Sequence, residues 1–583
     1  MNKVRRAVLT WATIAGLSVV TAPASVYAGA NDDSTPPPAD ALERGFLDPP
    51  DSARPRTWWH WTGGNVTKEG ITKDLEWMKR VGIGGCQLAD VSFGFGQTVE
   101  EKIEFGSPEW FDAVRHAATE AQRLGLELAI FSSAGWSETG GPWVQPEQAM
   151  KKLVWSETTV EGPQRFAGRL PQPPSNNGPF QNQGSGGRGP QPDPTWYGDS
   201  AVIAFRTPAA EDDMVARNPK ATTSGGDIDA GPLFDDDWNS AATIRPPAEG
   251  AAAWLQIEFT RRFRVRAITI AGPAGIPVGR VLAGDDVEHL RTLVTLPGAQ
   301  LYRQGRIRTF ALPETTVKIY RIEMTAAPLG PGPTMSQEPT PPAERYSLTE
   351  VRLHGGARVH RWEDKAGFGH LFEYETVPTP DVPAEAVVQQ RDVVYLMSRM
   401  APDGTLDWDV PAGKWTILRM GYSLTGAKNR PAPPSGSGYE ADKLSAKHME
   451  AYYHGYFDPL AKALGPLFGK SLQYVVMDSW EAGRQNWTEQ MIDEFRKRRG
   501  YDPTPYLAIL TGRVVKSAEV SDRFLWDFRR TLADMWADYH YGVMADLLGK
   551  HGIGIYGEAA GVSLEIPEDT LLNKSKVAIP MGE

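Results

Sequence analysis

The chain is 583 residues long, 41% hydrophobic and 23% charged, enough for two or three cores and too apolar for wholesale disorder. Its net charge of −11 excludes nucleic acid as the main partner, because phosphate binding asks for a basic surface. Cys86 is the only cysteine, which excludes an intramolecular disulfide, a zinc–thiolate centre and CxxC redox chemistry.

The N-terminus reads as a secretory signal over residues 1–28. Lys3, Arg5 and Arg6 form a basic start, Ala7 to Val20 is largely apolar, and Val26-Tyr27-Ala28 offers a small-residue cleavage site. The expectation is an exported protein, periplasmic or extracellular, with no membrane segment left after cleavage. A Pro/Asp/Ser-rich linker follows over 29–53.

Residues 54–160 then alternate short strands with helices. TWWHW is followed by a helical run from Thr67 to Val81 and the strand GGCQLAD. An amphipathic helix over Pro108 to Leu124 comes next, with Ser107 as N-cap and Gly125 as its stop, before the strand LELAIFS. Such alternation implies a parallel sheet. Residues 161–198 are a Gly/Pro/Asn/Gln-rich loop.

Residues 199–360 carry β-type runs such as WLQIEF, RAITIAG, VKIYRIEM and TEVRLHG, which resemble a galactose-binding-like jelly roll. A second β segment with hairpin turns spans 361–440, and 441–583 restores the strand–helix alternation. The fold expected is α/β: a (β/α)8-type barrel interrupted by an all-β sandwich region. Six barrel strands are counted where a closed barrel has eight. The chain therefore reads as truncated by at least two βα units, with an open six-stranded sheet as the alternative, and this fragment is expected to be unstable or inactive by itself.

Barrels place reactive groups at the C-terminal ends of their strands. The ionisable residues there are His60, Asp90, Asp478 and Glu481, Glu558, and Glu583. Three strand-end glutamates suit a pair that protonates a leaving oxygen and activates water. Glu481, beside Trp480 and Trp487, has apolar neighbours that would keep it protonated. A carboxylate at a helix N-terminus is the plain alternative for Glu481, and a rim salt bridge for Glu558 and Glu583.

The aromatic loops suggest a sugar pocket lined by His60, Trp61, Trp136 and Trp143, and nineteen tryptophans supply candidate platforms. Trp59 and Trp61 share one face of their strand while Trp58 and His60 share the other, so at least one pair must be core.

Several separated motifs, among them RPRTWWHWTGGN, SSAGWSETGGPWV, GYEADKLS, DSWEAGRQNWT and the closing MGE, together resemble the α-L-rhamnosidases of glycoside hydrolase family 106. The resemblance implies a (β/α)8 barrel with β-sandwich appendages, release of terminal α-L-rhamnose with inversion, and bound calcium. By the motifs that match, Glu481 corresponds to the general acid and Glu583 to the base, and the two labels are exchangeable. His60, Trp61, Asp90, Trp136, Asp478, Trp487 and Glu558 are the candidate substrate-binding residues. Asp478, Glu558 and loop carbonyls are candidate calcium donors, with the full ligand set unknown. The competing readings are an exo-glycosidase for another sugar, a non-catalytic glycan-binding protein, and a polysaccharide lyase, which the acidic strand ends disfavour.

Overall fold

The computed structural model describes residues 39–94, 96–174, 196–237, 240–273, 275–297, 307–327, 342–369, 377–480, 482–559 and 567–582. The chain divides into two compact units, residues 1–54 and 55–583. The described part of the first is a helix, Ala39–Leu47, and a single turn, Asp51–Ala53, with Arg44 paired to Asp40 at 2.9 Å and Arg54 to Asp48 at 3.1 Å.

The second unit is built on a parallel sheet whose six strands lie in chain order: Arg56–Thr62, Gly85–Val91, Glu127–Phe131, Leu472–Met477, Gly554–Gly557 and Ile579–Pro580. These are the six strands the sequence pattern predicts. Among the described residues the first and last strands do not pair, so the sheet is open and the expected barrel does not close.

Helices cover the outer face. Helix Lys68–Arg80 starts where the Thr67 hydroxyl accepts the Gly70 N–H at 3.0 Å, and it buries Ile71, Leu75 and Met78, a spacing of four then three that puts all three on one stripe. Helix Pro108–Leu124 begins on the Ser107 hydroxyl, 3.1 Å from the Trp110 N–H, and ends at Gly125, whose φ of +65° only glycine adopts freely. Burying these stripes against the sheet makes the largest apolar core of the unit. Cys86 lies in it, and burial pushes its thiol up to about 12.

Between the third and fourth parallel strands the chain builds antiparallel sheets. One is four-stranded, in the order Val394–Tyr395, Tyr197–Arg206, Thr405–Leu424, Lys151–Arg169. Another runs Arg291–Pro297, Val278–Gly284, Ile307–Ala326, Ala253–Ala271, Glu350–His354, with Lys220–Thr223 also paired to Ala253–Ala271. Two boundaries therefore shift from expectation. Lys151–Arg169 pairs along its length with Thr405–Leu424, so the first barrel segment gives way before residue 160, and the Gly/Pro-rich loop is strand at both described ends. The reason is a cross-strand partner some 250 residues away, which local composition does not report. No helix of the described residues is long and apolar enough to cross a membrane.

Candidate active site

Side chains alternate along a strand, so parity decides which strand-end residues face the open inner side of the parallel sheet and which face the helices. Ala89, Val91, Ala129, Phe131, Val476 and Tyr556 cluster on the inner face, with Trp136, Ile579 and Met581 packed against them. His60 belongs to this face through Trp58, whose ring meets His60 at 5.3 Å and Phe131 at 5.6 Å. The Trp136 indole N–H donates to His60 Nε2 at 3.2 Å, which assigns the neutral ring's proton to Nδ1, and Phe93 stands 5.1 Å from Trp136. Burial holds the His60 imidazole below its ordinary range.

Asp478 and Glu558 directly follow the fourth and fifth strands. Met477 is in register with Gly557, and the Glu558 N–H donates to the Met477 carbonyl at 3.1 Å. Each stands two positions after an inner-face residue, Val476 or Tyr556, one residue past its strand, so the alternation carried one step further directs both inward. The Asp478 carboxylate accepts the Ser479 N–H at 2.7 Å, and both side chains are buried. His60, Trp136, Asp478 and Glu558 thus share one side of the sheet.

Four expected pocket residues are elsewhere. Trp61 and Asp90 are paired in register and face outward. Trp61 is packed in the sheet–helix core, and the Asp90 carboxyl is covered by Trp110, whose indole N–H lies 3.1 Å from both oxygens. Burial pushes Asp90 up to about 7. Trp487 turns into a second core, 6.2 Å from Phe528, and Trp143 stacks on Tyr456 at 5.0 Å. Trp61, Asp90 and Trp487 are buried and Trp143 is half-buried, each packed against other side chains of the fold. Glu481 and Glu583, the expected acid and base, lie outside the described residues.

A buried polar set that the sequence reading did not single out lies beyond the third strand. Tyr541 donates to Glu138 Oε1 at 2.6 Å, and His540 Nδ1 stands 3.6 Å from Oε2. Burial is the main cause that raises Glu138 well above the carboxylate range and holds His540 well below the imidazole range. His540 and Tyr541 both point inward because the helix widens to a π-helical turn over Trp536–Gly542. Nearby, Lys443 pairs with Glu440 at 2.7 Å and lies 4.5 Å from the Trp480 ring. Glu138 was findable as a further carboxylate following a strand; the π-helical turn leaves no local sequence signal.

Calcium asks for six to eight oxygens. Asp478 and Glu558 offer a beginning, yet among the described residues no group of three His, Cys, Asp or Glu side chains is placed to hold a metal ion.

The family model for alpha-L-rhamnosidases, glycoside hydrolase family 106, matches residues 47–583. The chain belongs to this alpha-L-rhamnosidase family. It is similar to the solved structure of a rhamnosidase from Novosphingobium sp. PP1Y, with 38% identity and a TM-score of 0.79 over 92% of this chain and 49% of that one. It is also 31% identical to a protein of Formosa agariphila described as "Putative beta-glucuronidase", over 89% of this chain and 30% of that protein. The chain thus spans half or less of the length of these two relatives.

Proposed function

We propose that the protein is a glycoside hydrolase that releases terminal α-L-rhamnose from glycans. The observation that carries this is the inward pair Asp478 and Glu558 at adjacent strand ends, facing the same side as His60 and Trp136, in a chain of the rhamnosidase family. Carboxylates bind sugar hydroxyls as acceptors, and the aromatic edge offers an apolar surface for the methyl group of a deoxy sugar.

In this reading the open sheet is part of a (β/α)8 barrel. The motif matches make Glu481 the acid that protonates the leaving oxygen and Glu583 the base that activates water, with inversion requiring roughly 6.5 to 9.5 Å between their carboxyl groups. Calcium belongs to the same proposal, with Asp478, Glu558 and loop carbonyls as the residues that would hold it. Export, with cleavage after Ala28, is part of the same proposal.

The test is hydrolysis of an aryl glycoside panel by the full-length protein, with and without a calcium chelator, and by Glu481→Gln. Cleavage of the α-L-rhamnoside alone, lost in the variant, supports the reading. The panel includes a β-glucuronide because of the Formosa relative. Cleavage of that substrate instead would replace rhamnose, although paired carboxylates repel a uronate. Binding without any turnover would favour a glycan-binding protein.

A further inference from the structure

Residues of five segments converge on a second polar and aromatic cluster. Trp196 and Tyr422 stand at one end of the four-stranded sheet, rings 5.5 Å apart and tilted by 40°, both half-buried. A methyl group at Gly198 would lie 2.6 Å from the Tyr422 ring, so glycine there lets Tyr422 lie across the neighbouring strand. Lys151, first residue of its strand, reaches under Trp196, 5.4 Å from the ring.

His448, in the first turn of helix Ala446–Leu464, is 2% exposed. Neither of its ring nitrogens has a hydrogen-bond partner among the described residues. Glu489, before helix Met491–Arg499, has its side chain 30% exposed. Its Oε1 is 3.6 Å from His448 Nε2 and 3.9 Å from Lys151 Nζ, both too long for hydrogen bonds. At these distances Oε1 keeps its lone pairs for a donor that approaches from the carboxylate's exposed side.

A buried, unpaired imidazole is costly, and the cost is removed by a ligand that both donates and accepts. The charge balance narrows the ligand. Lys151 spends its three N–H donors on Asp442 at 3.0 Å, the Glu147 carbonyl at 2.7 Å and the Ala149 carbonyl at 3.2 Å, so it has none left for an anion. Glu489 is an acceptor that repels carboxylates and sulfates. A hydroxyl pair on a sugar ring matches a carboxylate acceptor beside an imidazole, and the ring's apolar face matches Trp196 and Tyr422.

We propose that Trp196, Tyr422, Glu489 and His448 form a second carbohydrate-binding site that holds a neutral sugar unit of a longer glycan. It rests on the glycosidase reading only for its ligand class. Its effect is to keep a polymeric substrate near the strand ends by a second attachment, raising the local concentration of chain ends.

The experiment is electrophoresis of the full-length protein through gels containing arabinogalactan, galactomannan or polygalacturonate, alongside Trp196→Ala and Glu489→Ala. At least one neutral polysaccharide is expected to retard the native protein, and each variant to bind it at least tenfold more weakly while cleaving a small aryl glycoside at the native rate. Glu489→Ala, at a half-exposed position, serves should Trp196→Ala fail to fold. The proposal is overturned if no neutral polysaccharide retards the protein, if only polygalacturonate does, or if a folded variant is retarded like the native protein. Loss of the rhamnosidase reading would show instead as absent aryl rhamnoside cleavage with gel retardation intact.

Discussion

The indole N–H of Trp110 lies 3.1 Å from both carboxyl oxygens of Asp90, on the helix side of the parallel sheet. One donor cannot compensate the loss of water around a full charge, so burial keeps this carboxyl neutral up to about pH 7. The folded protein then holds a proton between roughly pH 4 and 7 that the unfolded chain has released, so stability is lost as pH rises through that window. Ionising the buried group costs roughly 4 kcal/mol. Asp90→Asn should melt at a higher temperature than the native protein above pH 7 and lose that advantage toward about pH 4. A melting-temperature difference that does not change with pH would contradict it.

His60 accepts the Trp136 indole N–H on Nε2, which requires that nitrogen to be unprotonated. Burial lowers the His60 pKa, so the contact persists at neutral pH and breaks as acid protonates the ring. The folded-state value lies below the unfolded one, so this contribution is present above the unfolded value and lost as pH falls. Trp136→Phe keeps a ring and removes the donor. It should raise KM about fivefold, corresponding to about 1 kcal/mol for one hydrogen bond, with kcat little changed. Steady-state kinetics of the full-length protein checks this, and a KM equal to that of the native protein would remove His60 and Trp136 from the substrate's surroundings.

Strand positions were legible in the sequence because each is a short apolar run between helix signals; Ser107 and Gly125 even mark their helix to the residue. Parity was legible in part. It separated Trp59 and Trp61 from Trp58 and His60, and the buried side is the first pair. It was not applied to Asp90, whose outward direction follows from its register with Trp61. Trp487 misled because its neighbours in sequence are catalytic candidates while its ring belongs to a core assembled from distant helices. The pairing of Lys151–Arg169 with Thr405–Leu424, and the π-helical turn that brings His540 and Tyr541 to Glu138, depend on contacts no local pattern encodes.

Lys151 and Asp442 form an ion pair with both side chains wholly buried. Asp442 also accepts the Thr488 hydroxyl at 2.7 Å and the Leu444 N–H at 3.0 Å, so its charge is well compensated only while Lys151 stays. Lys151→Met leaves a buried carboxylate without its cation and should cost about 3 to 5 kcal/mol. Lys151→Met with Asp442→Asn should recover part of that loss, because the remaining polar group is neutral. Denaturant titration of the three proteins measures both quantities, and a single variant as stable as the native protein would show that the pair adds nothing.

Glu138 faces the opposite demand, since its nearest donor is a neutral phenol. Tyr541 donates at 2.6 Å, burial raises the carboxyl's pKa well above its usual range, and buried Lys443 only partly offsets that. The proton is therefore retained on folding, and stability falls as pH rises above the ordinary carboxylate value toward the raised one. Glutamine copies the neutral acid and still accepts from Tyr541, so Glu138→Gln should be as stable as the native protein in mild acid and more stable at alkaline pH. Glu138→Leu strands the Tyr541 hydroxyl and should cost about 1 to 3 kcal/mol at every pH. Thermal melts of both variants across pH decide between the two states of the carboxyl. A Gln variant that loses as much stability as the Leu variant at alkaline pH would mean that Glu138 is charged and paired to Lys443.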